Sequence, residues 1–394
     1  MSLFSQKKES NCVLAFDIGS GSVAGALVLT SETHPPTVLY NFRSEIPFQE
    51  EASGLRLLSL MLRSLSQVVL AITHEGFTVA GFGAHRPRIK EALVSLSAPW
   101  VVSKTSFLKL RSKEPVLMTV ETFSTLLADS NAELASDKDI PKGAIAIEQK
   151  LIRSVLNGYP TASPYQKMAL EAEFAVLGSF SVPRITEKVS DTITHLIHPK
   201  HISFHSFSLL AFATLRNLFP NEEDCILADV SGEQTELSVV KKGVLVETVS
   251  FPFGKNHLIR MLKESAKVPT GGASAFFKLY AEGSGTGKLF EKVKKVLEAA
   301  EKDWQEKFAN MLSSFSEEMF LPKTLFLTAD DDCVGLFKHA ITSGEFSSFT
   351  VSPTSFSVAE VGNEMLAPLV SWAPSQNQDP FVSLIAAFAN ELRR

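Results

Sequence analysis

The chain has 394 residues, 45% of them hydrophobic and 21% charged; that composition excludes a disordered protein, and the length exceeds what one core holds. A net charge of −5 excludes the basic footprint that nucleic acid demands. The three cysteines, Cys12, Cys225 and Cys333, lack metal-ligand spacing and read as reduced thiols.

Residues 1–10 are short and polar, with Lys7 and Lys8 following Leu3 and Phe4, so no secretory leader is expected. No run reaches the roughly 18 apolar residues of a bilayer span, which predicts a soluble protein. Residues 13–16 and 23–29 predict buried strands, and 37–40 with 45–48 a third strand and its exit. Leu55, Leu58, Leu62, Leu65, Val69 and Ile72 recur three and four apart, the apolar face of a helix. Residues 78–83, rich in glycine, predict a short strand and complete a β-β-β-α-β opening.

From about His85 to Pro164 the character changes to a polar loop over 130–142 among strand-like pieces, which reads as an inserted small domain. A strand over 169–177 and helices over 186–197 and 207–218 follow, the last ending before Pro220. Residues 237–249 predict a hairpin turning at Lys241-Lys242-Gly243. Helices are expected over 257–266, 273–280 and 289–318, the last dense in Lys and Glu and read as a solvated face. A short strand over 324–328 leads into the turn Ala329-Asp330-Asp331-Asp332. Phe381, Leu384, Ile385, Phe388 and Leu392 line one stripe of a closing helix. Ala386, Ala387 and Ala389 leave it little polar face, so a core helix is expected despite Arg393 and Arg394.

The strongest signal is a repeat. Cys12-Val13-Leu14-Ala15-Phe16-Asp17 enters the turn Ile18-Gly19-Ser20-Gly21-Ser22, and Cys225-Ile226-Leu227-Ala228-Asp229 enters Val230-Ser231-Gly232-Glu233-Gln234-Thr235. The aspartates lie 212 positions apart (229 − 17), about half the chain. A duplicated strand–Asp–turn–strand unit predicts two related domains offering paired turns to one ligand. Small-residue turns leave backbone N–H groups free for anionic oxygens, and an Asp beside them suits hydrated Mg²⁺. Two other motifs carry less. Gly283-Ser284-Gly285-Thr286-Gly287-Lys288 is flanked by Glu282 and Leu289, where a P-loop needs Gly and Ser or Thr, so it reads as a loop. Histidines 195, 198, 201 and 205 have no accompanying Cys and read as surface or core residues.

These motifs resemble the actin-like ATPases, within them the branch of the cell-division protein FtsA and the pilus-assembly protein PilM. Asp17 to Val23 resembles the first phosphate loop and Asp229 to Leu237 the second. Leu156-Asn157-Gly158-Tyr159-Pro160, Phe251-Pro252-Phe253-Gly254-Lys255-Asn256-His257 and Asp379-Pro380-Phe381 resemble FtsA most. The resemblance runs from Val13 to about Leu392. It implies an α/β, actin-like fold of duplicated ribonuclease H-like domains with an FtsA-type inserted subdomain. Residues 1–80 and 165–205 would form the first subdomain, 81–164 the insert, 206–351 the second half with a lid at about 255–318, and 352–394 a return to the first. ATP and Mg²⁺ are the implied cofactors. Asp17 and Asp229 would face the metal through water. Gly19, Ser20, Gly21, Ser22, Gly232, Gln234 and Thr235 would hold phosphates, and Ala329 the base.

The departures are specific. Ala24 stands where many relatives carry a lysine, which removes a cation. Ser231 and Glu233 replace small residues of the second loop, and Glu233 repels phosphate unless a cation intervenes. Asp330, Asp331 and Asp332 replace the glycines that admit the base. These features predict at most a weak ATPase, since electrostatic stabilisation dominates phosphoryl transfer; no catalytic residue is assigned. The leading expectation is an FtsA-type scaffold or nucleotide-dependent switch in bacterial cell division, with an FtsZ-like partner and self-association. Its alternatives are a PilM-like component of type IV pilus assembly gripping a membrane-protein peptide, and a nucleotide-free interaction module. A sugar or acetate kinase lacks a nameable base. The expected location is cytoplasmic, at the inner face of the membrane only through a partner.

Overall fold

The computed structural model describes residues 12–50, 54–83, 87–134, 137–316, 320–351 and 354–393. Residues 1–10, His85 and Arg394, used in the sequence reading, lie outside them. The strands are β1 (Cys12–Ile18), β2 (Ser22–Leu29), β3 (Thr37–Glu45), β4 (Glu91–Leu96), β5 (Val102–Leu117), β6 (Ile145–Leu156), β7 (Tyr159–Pro160), β8 (Met168–Ser181), β9 (His201–Ser206), β10 (Cys225–Val230), β11 (Thr235–Lys241), β12 (Val244–Phe251), β13 (Thr324–Ala329), β14 (Ser357–Glu360) and β15 (Ser371–Trp372). The helices used below are α1 (Gly54–Ala71), α2 (Val120–Leu134), α3 (Pro183–Thr194), α4 (Phe207–Leu218), α5 (Lys255–Met261), α6 (Ala273–Ala281), α7 (Lys288–Ser316), α8 (Val334–Ser343), α9 (Asn363–Leu366) and α10 (Pro380–Glu391).

The duplication is explicit in the sheets. One runs β15-β3-β2-β1-β4-β9 and another β12-β11-β10-β13-β14. β1 is antiparallel to β2 and parallel to β4, as β10 is to β11 and β13. Register irregularities fall at Leu27/Val28 and Val239/Val240, at the same offset from Asp17 as from Asp229.

β1 and β10 are buried at every position, because each is covered on both faces. That explains their unbroken apolar runs. In β1, Leu14, Phe16 and Ile18 face a core built with α1 and α3, while Val13 and Ala15 face a layer shared by the two halves. In β10, Ile226 and Ala228 face the core of the second half, while Cys225 and Leu227 face the shared layer. α4 and α10 fill that layer. α10 is therefore a core helix, buried over Val382–Ala386 and Phe388–Asn390. With alternation of period two, Asp17 and Asp229 both project to the shared side.

Four expectations need correction. Residues 78–83 are not a strand: the first helix continues through a π-helical turn, Ile72–Gly76, into Phe77–Val79. Gly81 and Gly83 then adopt φ of 82° and 57°, which a strand does not allow. The strand after α1 is β4. The inserted sheet, β5-β8-β6-β7, spans Val102 to Ser181 rather than 81–164. β4 is bonded into the first sheet between β1 and β9, and β8 pairs along its length with β5 and β6. α7 is not merely a solvated face: Val293, Leu297, Ala300, Trp304, Phe308 and Leu312 are fully buried, and Trp304 stacks on Phe308 with ring centroids 4.7 Å apart. Finally, among the described residues one helix, Gly54–Val79, is long and apolar enough to cross a membrane by length and composition. Here it packs Leu57, Leu58, Met61, Leu65, Val68 and Val69 into the first core.

Candidate functional site

The site lies where the β1–β2 and β10–β11 turns meet. Asp17 is 5% exposed and Asp229 7%. Asp229 accepts a hydrogen bond from Thr328 Oγ1 at 2.7 Å, delivered by the parallel neighbour β13, where Asp229 is paired with Thr328.

Asp17 has a cation that the sequence reading missed. Ala24 lies opposite Asp17 on β2, and Arg43 lies opposite Ala24 on β3. The short alanine lets the Arg43 guanidinium reach across it to Asp17 Oδ2 at 3.1 Å. Arg43 also makes a bidentate pair with Asp379, at 2.7 and 3.0 Å, and donates to Ser22 Oγ at 2.7 Å. Asp379 is the N-cap of α10 and accepts from the backbone N–H groups of Phe381 and Val382, so the capping carboxylate also fixes the arginine. The expected loss of a cation at Ala24 is therefore offset from the adjacent strand. Periodicity carries no signal for this; only the strand register does.

The two turns touch. Ser20 Oγ lies 2.7 Å from Ser231 Oγ and accepts from the Glu233 N–H at 2.8 Å. A Cβ on Gly232 would stand 2.5 Å from Gly21 Cα, and one on Gly254 2.3 Å from the Ser231 carbonyl oxygen. These glycines thus admit neighbouring backbone. Trp100 Nε1 donates to the Gly19 carbonyl at 2.8 Å and holds the first turn from below.

Three of the four acidic substitutions, Glu233, Asp330 and Asp332, are met by partners from α5. Glu233 is paired with Arg260 at 2.6 Å and accepts from Asn256 Nδ2 at 2.8 Å. Lys255 Nζ sits 3.0 Å from Asp330 and 2.9 Å from Asp332, and Ser274 donates to Asp332. Asp331 is exposed.

Burial dominates the titration of the central carboxyls. It raises Asp17 to about 6 against the opposing pull of Arg43. It raises Asp229 to about 7 despite the Thr328 bond. Glu236, across the ladder from Asp229, is pushed to about 8 by burial and then by Asp229. Burial lowers Lys255 and Arg43, but Asp330 for the first and Asp379 and Asp17 for the second outweigh it.

Asp17, Gly19, Gly21, Ser22, Asp229 and Gly232 line one cavity, joined by Arg43, Ser97, Asp330 and Phe381. Its volume is about 20 Å³, room for roughly one water. Ser20 is spent on the turn-to-turn contact. Thr235 points away, donating to the Phe253 carbonyl and accepting from Trp304 Nε1. Gln234 contributes its carbonyl to the Ser231 N–H, and Ala329 is packed in the second core. A magnesium-bound triphosphate does not fit this arrangement. The turns that would flank the phosphates are in contact, Arg43 occupies the front of Asp17, and Lys255 with Asp330 and Asp332 fills the turn assigned to the base. No group of three or more His, Cys, Asp or Glu suited to a metal occurs among the described residues.

No protein-family model and no curated protein sequence matches the chain. Its structure is similar to PilM in a PilM–PilN type IV pilus biogenesis complex: TM-score 0.60, 13% identity, 96% of each chain covered. It also matches the ethanolamine utilization protein EutJ from Carboxydothermus hydrogenoformans (TM-score 0.44, 12% identity, 96% of this chain and 88% of that one). A third match is a Bacteroides thetaiotaomicron protein with an actin-like ATPase fold (TM-score 0.41, 9% identity, 98% of each). With its duplicated sheets and paired aspartate turns, the chain has the actin-like ATPase fold, in the arrangement shared with PilM.

Proposed function

We propose that this chain is an assembly scaffold of the PilM kind, which grips a segment of a PilN-like membrane protein from the cytoplasmic side and reaches the membrane only through it. The observation that carries the reading is the inserted sheet with its helix α2. The sheet leaves Phe107 56% exposed, Tyr159 77% and Met168 54%, and the helix leaves Val120 61% exposed. Apolar groups concentrated on one small domain mark a protein-binding surface. The insert also has little core of its own, centred on Leu108, Met118, Leu156 and Phe174. The likeness to PilM over 96% of both chains supports the same reading. The division role rests on sequence motifs alone.

A pull-down of purified chain against cytoplasmic segments of PilN-like proteins and against FtsZ tests this. Capture of the PilN-like segment, lost in Phe107→Asp, is expected. Capture of FtsZ alone would restore the division role, and capture of neither would sink the scaffold reading.

A further inference from the structure

We infer that the interdomain cleft of this protein stays shut without any nucleotide, its halves joined, and Asp17, Glu233, Asp330 and Asp332 neutralised, by side chains of the chain itself. The inference concerns the state of the cleft and does not rest on the identity of a partner.

Two sets of contacts carry it. The first neutralises charge. Arg43 supplies positive charge between Asp17 and Asp379, where a cleft carboxylate would otherwise call for a bound cation. Lys255 does so for Asp330 and Asp332, and Arg260 for Glu233. Each of these cations lies on an element bordering the turns, and the carboxylates lie in the turns (Glu233, Asp330, Asp332), at the end of β1 (Asp17) or at the N-cap of α10 (Asp379). Buried carboxylates left unpaired would be costly, so this set serves Asp17, Glu233, Asp330 and Asp332 without metal, while Asp229 accepts from Thr328 and is held toward its neutral form by burial.

The second set crosses the cleft. Ser20 of the first half bonds Ser231 and the Glu233 N–H of the second. Gly21 and Gly232 lie in backbone contact. The segment that follows β3 reaches over to α5 and its extension: Arg260 donates to the Gln49 carbonyl at 3.2 Å, Lys263 pairs with Glu50, and Lys263 Nζ sits 5.8 Å from the Phe48 ring centre. Phe48 itself packs against the core of the second half. A cleft that waits for a nucleotide leaves its turns apart and its donors free. Here the Ser20 hydroxyl and the Glu233 N–H satisfy one another.

The test uses the full chain and Mg-ATP as probe. Isothermal calorimetry at millimolar Mg-ATP is expected to show no binding heat, and small-angle scattering the same radius of gyration with Mg-ATP as with EDTA. Binding heat that requires Mg²⁺ and is lost in Asp17→Asn, or a compaction on adding Mg-ATP, would overturn the inference. The contacts are tested separately with Ser20→Ala, which removes one hydroxyl and leaves the ion pairs. Hydrogen exchange at the Glu233 amide should quicken about tenfold or more, and unchanged exchange would refute the turn-to-turn contact. Arg43→Gln should lower the melting temperature with or without Mg²⁺; rescue of that variant by Mg²⁺ alone would show that a metal, not the arginine, normally serves Asp17. These readouts are independent of partner capture, so the scaffold reading and this one fail separately.

Discussion

Replacing Gly232 by alanine probes the contact between the two turns most directly. The added methyl would stand 2.5 Å from Gly21 Cα, 2.6 Å from Gly21 N and 2.9 Å from the Ser20 carbonyl carbon. All three are backbone atoms, so no side chain can swing aside. Carbon atoms rest about 3.5–4 Å apart, and the turns must part by about 1 Å. The Ser20–Ser231 and Ser20–Glu233 bonds, now 2.7 and 2.8 Å, would then pass beyond hydrogen-bond range. Losing two largely buried bonds at about 1 kcal/mol each, with added cost for polar atoms left unpaired, gives a destabilisation of about 2–4 kcal/mol. Urea unfolding followed by tryptophan fluorescence reads this out. Gly19→Ala is the control: its methyl would meet only Ser22 O at 3.6 Å and Gly21 N at 4.0 Å, ordinary contact, and should change stability by less than about 0.5 kcal/mol. Equal effects of the two substitutions, or a negligible effect of Gly232→Ala, would refute a closed cleft.

Other expectations follow from the same structure. Glu236 is held neutral, its carboxyl raised from 4.5 to about 8, so its contribution to stability is complete below pH ~4 and is lost as pH rises through about 8. Glu236→Gln should remove that dependence and stabilise the protein at pH 8.5 by about 2–4 kcal/mol, with no gain at pH 4; parallel stability–pH curves for the two proteins would contradict it. Glu148 accepts from His205 Nδ1 at 2.8 Å, Ser206 N at 2.7 Å and Ser206 Oγ at 2.8 Å, tying the insert to the first sheet. Glu148→Ala should cost about 2–4 kcal/mol by chemical denaturation and expose the insert to proteolysis first; retained protease resistance would count against that link. Trp304→Ala opens the centre of the second core and should cost about 3–5 kcal/mol, read by thermal melting.

Much of the architecture was legible because it is written locally. The apolar runs before Asp17 and Asp229 are long and repeated, since both strands are covered on both faces. The hairpin turn at Lys242 and Gly243, with φ of 50° and 68°, was visible as a glycine-bearing two-residue loop. The helix 207–218 was bounded correctly by Pro220, and Ser206 caps its start by accepting from Leu209 N. The short strand expected over 78–83 failed because glycine-rich apolar residues fit a strand, a helix end or a turn equally well until their neighbours are known. The insert boundary failed because a strand's sheet membership is a long-range property: β4 and β5 are adjacent in sequence but belong to different sheets.

The site divides the same way. The sequence by itself determined the pair of aspartates and the small residues beside them, because a strand's alternation and a turn's need for small side chains are properties of a few consecutive residues. It also flagged Glu233 as a charge in need of a cation, and Asp330–Asp332 as acids in place of the glycines that admit a base. Who those partners are was decided only in three dimensions. Arg43 reaches Asp17 by crossing Ala24 through two antiparallel registers, and Asp379 arrives from the far end of the chain. Lys255 and Arg260 meet their acids because α5 starts where the β12 strand returns beside the second turn. Ion pairs form wherever opposite charges come within a few ångströms, whatever their separation along the chain, so the sequence predicted a cleft for nucleotide, and tertiary packing closed it.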